Sequence, residues 1–201
     1  MISGSGKTVP EDTGTYPKSA LVTTDTEIES QSMVDYLCSC GHKRIAFITS
    51  GDEGLGRCHL NGYKRSLEKN GLEYDEKLII RLKPGKRIYT IENGYNCTCE
   101  LLKSGVDFSC IYAISDTLAV GACRAVIDSG KRVPEDYCVA GADGQDIAEY
   151  YHPSITTLKY PRVETVLQSV RTLFDLIDRK KVVKRQILSG TLIERESTRK
   201  L

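Results

Sequence analysis

The sequence has no excess of either charge: 28 Lys and Arg stand against 27 Asp and Glu, evenly mixed, for a net charge of +1. It therefore offers no one-sided basic face to neutralise a phosphate backbone, and the chain by itself is not expected to grip nucleic acid. It also lacks an apolar run of membrane-spanning length and a secretory leader, which leaves a cytoplasmic protein as the expectation. Complete catalytic signatures are missing too. GSGKT at 4–8 ends like a phosphate loop, but the Gly required five residues before Gly6 falls on Met1, and no strand can deliver it. There is no Gly-rich dinucleotide turn and no nucleophile–His–acid arrangement, and His42, His59 and His152 lie in unrelated settings. Neither an enzyme nor a cofactor is expected.

Eight cysteines are present, but not in the pattern that metal or disulfide chemistry needs. Cys38/Cys40 and Cys97/Cys99 are CxC pairs, unlike the two-residue spacing common in zinc sites, and both fall in predicted helices. The other four are single, two of them in apolar strands where Cys packs as a small hydrophobe. Reduced, structural thiols and no metal site are expected. Asn96-Cys97-Thr98 has the form of a glycosylation triplet, which means little without a secretion signal.

What the chain does have is an alternation of short apolar runs and amphipathic segments. Its clearest unit runs from Ile111 to Gly144. Ile111–Ile114 reads as a buried strand, and Asp116 stands where a helix N-cap is wanted, ahead of Leu118, Ala119, Ala122, Ala125 and Val126 on one face. Gly130 and Pro134 end that helix, and Tyr137–Ala140 is the next strand, closed by Gly-Ala-Asp-Gly. Strand–helix–strand of this length forms a right-handed parallel unit.

The rest of the chain follows suit. Strands are expected near 19–23, 45–49, 78–82, 155–159 and 186–193, and helices near 27–40, 57–70, 92–104 and 161–180, with a short helical turn at 146–151. The polar residues 1–17 read as a loose arm. This is an α/β protein with a doubly wound parallel sheet. In such sheets ligands bind beyond the carboxyl ends of the strands. Those ends carry Ser50-Gly51-Asp52, the turn before Tyr89, Ser115-Asp116, Asp143 and Lys159-Tyr160. Carboxylates, helix N-termini and one aromatic face are what a polyol requires of a site.

Six blocks carry a family likeness in order and spacing: GHKRIAFI (41–48), RCHLNGY (57–63), ISDTLAVGACRAVIDSGKRVPED (114–136), VAGAD (139–143), HPSITTL (152–158) and LIEREST (192–198). They resemble the effector-binding core of lactose-repressor-type (LacI/GalR) transcription regulators, a fold similar to type I periplasmic sugar-binding proteins. The likeness spans about Val22 to Thr198. It implies two lobes with a small effector, a sugar or a purine-like molecule, in the cleft between them.

Carried over position by position, the family's ligand contacts fall on Ser115, with Asp116 following, on Asp143, and on Tyr89. The family's forked Arg falls on His59, which cannot reproduce the fork, with Arg57 two residues earlier as a possible compensation. If His59 binds, its protonation near pH 6.5 would make affinity pH-dependent. Each candidate also has a plain structural reading: Asp116 as a helix cap, Asp143 as a turn residue, Tyr89 as a surface aromatic, Ser115 as spacing, and His59 as an exposed helix residue.

The resemblance also implies a homodimer through the C-terminal lobe, with Leu118–Arg124 and Ile147–His152 at the contact, and operator DNA bound only by the intact protein. The family's helix-turn-helix reader, hinge helix and first half of the N-terminal lobe have no counterpart before Val22. Residues 18–43 and 161–183 then correspond to a partial N-terminal lobe, and 44–160 with 184–197 to a C-terminal effector lobe. The helices at 27–40 and 162–180 are expected to expose apolar faces, covered by another copy or ordered only in part. A solute-binding protein of a sugar transporter is the alternative function.

Overall fold

The structure, a computed structural model, describes residues 19–83, 85 and 87–201. The expected arm at 1–17, with the GSGKT segment, lies outside the described residues.

Short runs of β-branched and aromatic residues, too brief for helices, become the strands of one sheet. These are β2 (Ile45–Thr49), β3 (Ile79–Arg81), β4 (Cys110–Ala113), β5 (Cys138–Asp143), β6 (Thr156–Lys159) and β8 (Thr191–Ile193). Their order is β3-β2-β4-β5-β6-β8, parallel except for β8, which runs antiparallel to β6 at the edge. From β2 the chain winds out to β3 through α2 (Gly54–Lys69), then back across to β4 through α3 (Ile91–Lys103) and on to β5 through α4 (Asp116–Asp128). Right-handed crossovers in opposite directions put α2 on one face and α3 and α4 on the other. The winding reverses between β2 and β4, where a doubly wound sheet opens its crevice.

The central strands β2, β4 and β5 are buried along nearly their whole length, and Phe47 sits at the centre with its ring stacked on Tyr63 of α2 (5.0 Å) and on Tyr112 of β4 (5.2 Å). Helices α3 and α4 approach closely through two glycines. A methyl group at Gly94 would strike the α4 backbone at Leu118, and one at Gly121 would strike the α3 backbone at Ile91.

Two further strands stand apart from the main sheet. β1 (Leu21–Thr24) pairs in parallel only with β7 (Arg185–Leu188), beside α6 (Arg162–Ile177). This corrects the expected single strand over 186–193: Leu188 ends one strand and Thr191 begins another, in a different sheet. Gly190 lies at the crossing, where an added Cβ would sit 3.0 Å from Glu29 Oε1 and 3.2 Å from the Lys159 carbonyl. A side chain there would press on the Glu29 carboxylate and the end of β6.

The expected lobe division needs the same correction, because residues 185–188 join β1 rather than the main sheet. Helix α1 (Thr26–Ser39), which that division grouped with the smaller lobe, instead packs against α2, and its Met33, Val34 and Leu37 are wholly buried in the main core. Its apolar face is therefore covered, contrary to expectation. The face of α6 is not. Ser169 and Thr172 are buried, and Gln168 and Thr172 bond to Gln186 of β7 at 2.6 and 3.0 Å. Val163, Val166, Phe174 and Ile177 point outward, each more than 60% exposed.

Candidate functional site

The site is built at the carboxyl ends of β4, β5 and β6, around the N-terminus of α4. Ser115 is the N-cap of that helix: its Oγ accepts from the Leu118 N–H (3.3 Å) and shares a hydrogen bond with Thr117 Oγ1 (3.1 Å). This corrects the expectation that Asp116 caps the helix. Asp116 is the first helical residue, and its carboxylate is fully buried and directed away from the helix backbone. It accepts from Thr157 Oγ1 on β6 and from the Gln145 N–H after β5, both at 2.6 Å. Burial pushes its carboxyl up to about 6, against the pull of those two donors. Asp116 thus ties three strand ends together, and its burial withholds the carboxylate from a ligand.

Asp143 is the last residue of β5 and has φ +107°, a left-handed value rare outside glycine. Among the described non-glycine residues only Arg179 shares a positive φ. Such strain is tolerated where the surroundings over-determine it, and it clusters at binding sites. The carboxylate is held from two directions: Oδ2 accepts from Gln145 Nε2 (2.8 Å), and Oδ1 lies 3.1 Å from the Arg162 guanidinium at the start of α6. Burial raises its pKa, while Gln145 and Arg162 oppose the rise. At 23% side-chain exposure Asp143 remains within reach of a solute.

Tyr89 is 47% exposed, and its carbonyl accepts from Thr117 Oγ1 at 3.2 Å. Asn93 Nδ2 donates to the Ile88 carbonyl (2.9 Å) and fixes the same loop. A continuous set of hydrogen bonds and short chain segments therefore runs from Tyr89 through Thr117, Ser115, Asp116 and Gln145 to Asp143. The structure brings Tyr89, Ser115 and Asp143 to one rim.

His59 does not behave as expected. His59 is buried, at 6% exposure, on the inner face of α2, and its carbonyl accepts from Ser30 Oγ at 2.9 Å. Burial depresses its pKa to about 4, so the imidazole is neutral at physiological pH and supplies no titration near pH 6.5. Its Nδ1 is buried without a hydrogen-bond partner. Arg57 lies on the exposed side of the first turn of α2.

Several groups at the site escape a reading by motif. Gln145 and Arg162 hold Asp143, and Thr157 holds Asp116. Glu29 of α1 is only 4% exposed; its Oε1 accepts from the Gly190 N–H (3.1 Å) while Oε2 is buried and unpartnered. Burial pushes its carboxyl up to about 7. The only sequence signal for Glu29 is its spacing of four from Met33, on the inner face of the helix. Elsewhere the eight thiols are free, and among the described residues no group of His, Cys, Asp and Glu is placed to hold a metal ion. No helix among them is long and apolar enough to cross a membrane.

The expected dimer contact is only half available. Leu118 to Cys123 are buried within the chain against α3 and the sheet, leaving Arg124 exposed. In the second stretch, Tyr150 is 83% exposed.

Residues 34–198 of this α/β chain match the periplasmic binding protein-like domain family, to which the chain belongs. Its likeness to the core of LacI-type regulators is borne out by its relatives. The chain is 40% identical over 146 residues to the HTH-type transcriptional regulator MalR of Clostridium butyricum, covering 73% of this chain and 42% of that protein. A sugar-binding LacI-family regulator from Escherichia coli, solved in complex with phosphate, superposes with a TM-score of 0.83 at 32% identity, over 90% of this chain and 64% of that one. A LacI-family regulator from Enterococcus faecium with bound ribose superposes with a TM-score of 0.79 at 29% identity, over 92% and 67%. The chain spans about half the length of the curated relatives it matches.

Proposed function

We propose that this chain is the effector-sensing core of a LacI-type transcriptional repressor, binding a sugar or related small metabolite at the rim formed by Asp143, Tyr89 and Ser115. In the intact protein this event would control DNA binding by a helix-turn-helix domain carried outside this chain. The observation that carries the reading is Asp143: a strained, partly exposed carboxylate at a strand tip, linked through Gln145 and Asp116 to the N-terminus of α4. A carboxylate accepting from ligand hydroxyls contributes roughly 1.5–3 kcal/mol per bond. Effector binding acts by population shift: it favours one relative arrangement of the two sheets over another. Self-association into a homodimer belongs to the same reading, as does a cytoplasmic location.

A thermal-shift screen of neutral sugars and purines tests this. A specific ligand raises the midpoint by mass action, and Asp143→Ala abolishes the rise without lowering the ligand-free midpoint by more than a few degrees. A rise that survives Asp143→Ala would place the site elsewhere.

A further inference from the structure

Asp143 has two oxygens, and their two partners differ in kind. Gln145, which holds Oδ2, lies two residues along the same loop and moves with Asp143. Arg162, which lies 3.1 Å from Oδ1, belongs to the first turn of α6, the helix beside the β1–β7 sheet. The Arg162–Asp143 pair therefore spans the two sheets, and it engages the one oxygen not already taken by the loop. Both side chains are accessible, at 59% for Arg162 and 23% for Asp143, so a solute can reach the pair and exchange with it.

We propose that Arg162 determines the affinity and specificity of this site as an internal competitor: its guanidinium occupies the Asp143 oxygen to which an effector hydroxyl must donate. The inference rests on Asp143 being the effector carboxylate. Each carboxylate oxygen accepts more than one bond, so the competition is for the space and charge around Oδ1: a sugar hydroxyl approaching it meets a charged donor already seated there, and Oδ2 is bonded to Gln145. Displacement of the guanidinium also removes the side-chain contact between the first turn of α6 and the end of β5, so occupancy of the rim is felt at α6, which Tyr160 and Pro161 still join to β6. Arg162 is a positioning and specificity residue here; it need not touch the ligand.

Calorimetric titration of the full chain with ribose and cellobiose, at low and at high salt, tests the competition. The variants are Arg162→Met, which keeps the apolar stem, Arg162→Lys, which keeps the charge without the fork, and Asp143→Asn. Arg162→Met should bind the same sugar roughly two- to fivefold tighter, the range expected for an ion pair this exposed. Wild-type affinity should rise with salt as the pair is screened, the Arg162→Met affinity should not, and Arg162→Lys should fall between. Equal or weaker binding by Arg162→Met, with Asp143→Asn inactive, overturns the competitor role alone. Undiminished binding by Asp143→Asn, or no binding of either sugar by wild type and Arg162→Met, overturns the reading of the site and this inference with it.

Discussion

Replacing Glu29 by Gln should make the protein more stable above neutral pH, with the gain shrinking through mild acid and vanishing below about pH 4. The folded chain holds this carboxyl at about 7, against an ordinary value of 4.5, chiefly because it is buried. Below 4.5 both the folded and the unfolded chain carry the proton, so the group contributes no difference. Between 4.5 and 7 the unfolded chain ionises while the folded chain keeps its proton, and stability falls as pH rises. Above 7 the whole penalty is in force. The shift corresponds to at most about 3 kcal/mol, and with partial solvation about 2 kcal/mol is the working figure. Gln cannot ionise, but its amide oxygen can still accept from the Gly190 N–H, so the 3.1 Å bond to the crossing segment is kept. For a chain of this size the difference amounts to roughly 4–8 °C in midpoint. Thermal denaturation of both proteins from pH 5 to pH 8 reads it directly. The curves should lie close together at pH 5, where only a minor part of the penalty is in force, and draw apart through neutrality, with Glu29→Gln higher. Parallel curves would refute the reasoning, since they would mean that Glu29 ionises as freely in the folded chain as in the unfolded one.

Other perturbations follow from the same contacts. Gly121→Leu should force α3 and α4 apart and cost at least about 2–3 kcal/mol, because the collision is with the Ile91 backbone rather than a movable side chain, as urea denaturation would measure. Thr157→Val removes a 2.6 Å donor from the buried Asp116 carboxylate and should cost about 1–3 kcal/mol, with the loss smaller at pH 5 than at pH 8, since Asp116 titrates at about 6. His59→Gln should leave the pH profile of effector affinity between pH 5.5 and 8 unaltered, because the buried imidazole is already neutral across that range. The outward row Val163, Val166, Phe174 and Ile177 should drive self-association that Phe174→Ser weakens in light scattering; a monodisperse monomer in wild type would refute this.

The elements themselves were legible because apolar period and caps report local structure. β2 falls on the expected Ile45–Thr49, and β4 and α3 lie one residue from their expected bounds. The rim was legible as well, since the ends of parallel strands in a doubly wound sheet are a topological consequence of the alternation. What could not be read were relations between distant residues. The function of Asp116 depends on Thr157, 41 residues away, and on the Gln145 amide, and neither follows from helix-capping patterns. The break of 186–193 into two strands shows only in their separate partners, β1 for one and β6 for the other. Arg162 reads in sequence as the opening turn of a helix after Pro161, and only the structure reveals its hold on Asp143, at the end of β5. The burial of His59 was within reach: Gly56, His59, Leu60 and Tyr63 follow helical spacing on the inner face of α2, once the helix starts at Gly54 rather than Arg57.

The central claim is that the strand tips form one effector site, and amide chemical-shift mapping tests it most directly. During titration with a sugar that raises the melting midpoint, the largest shifts should fall together on Tyr89, Ser115, Asp143, Gln145 and Arg162. Shifts gathered instead on the outer faces of α3 or α6, with those five residues silent, would contradict it.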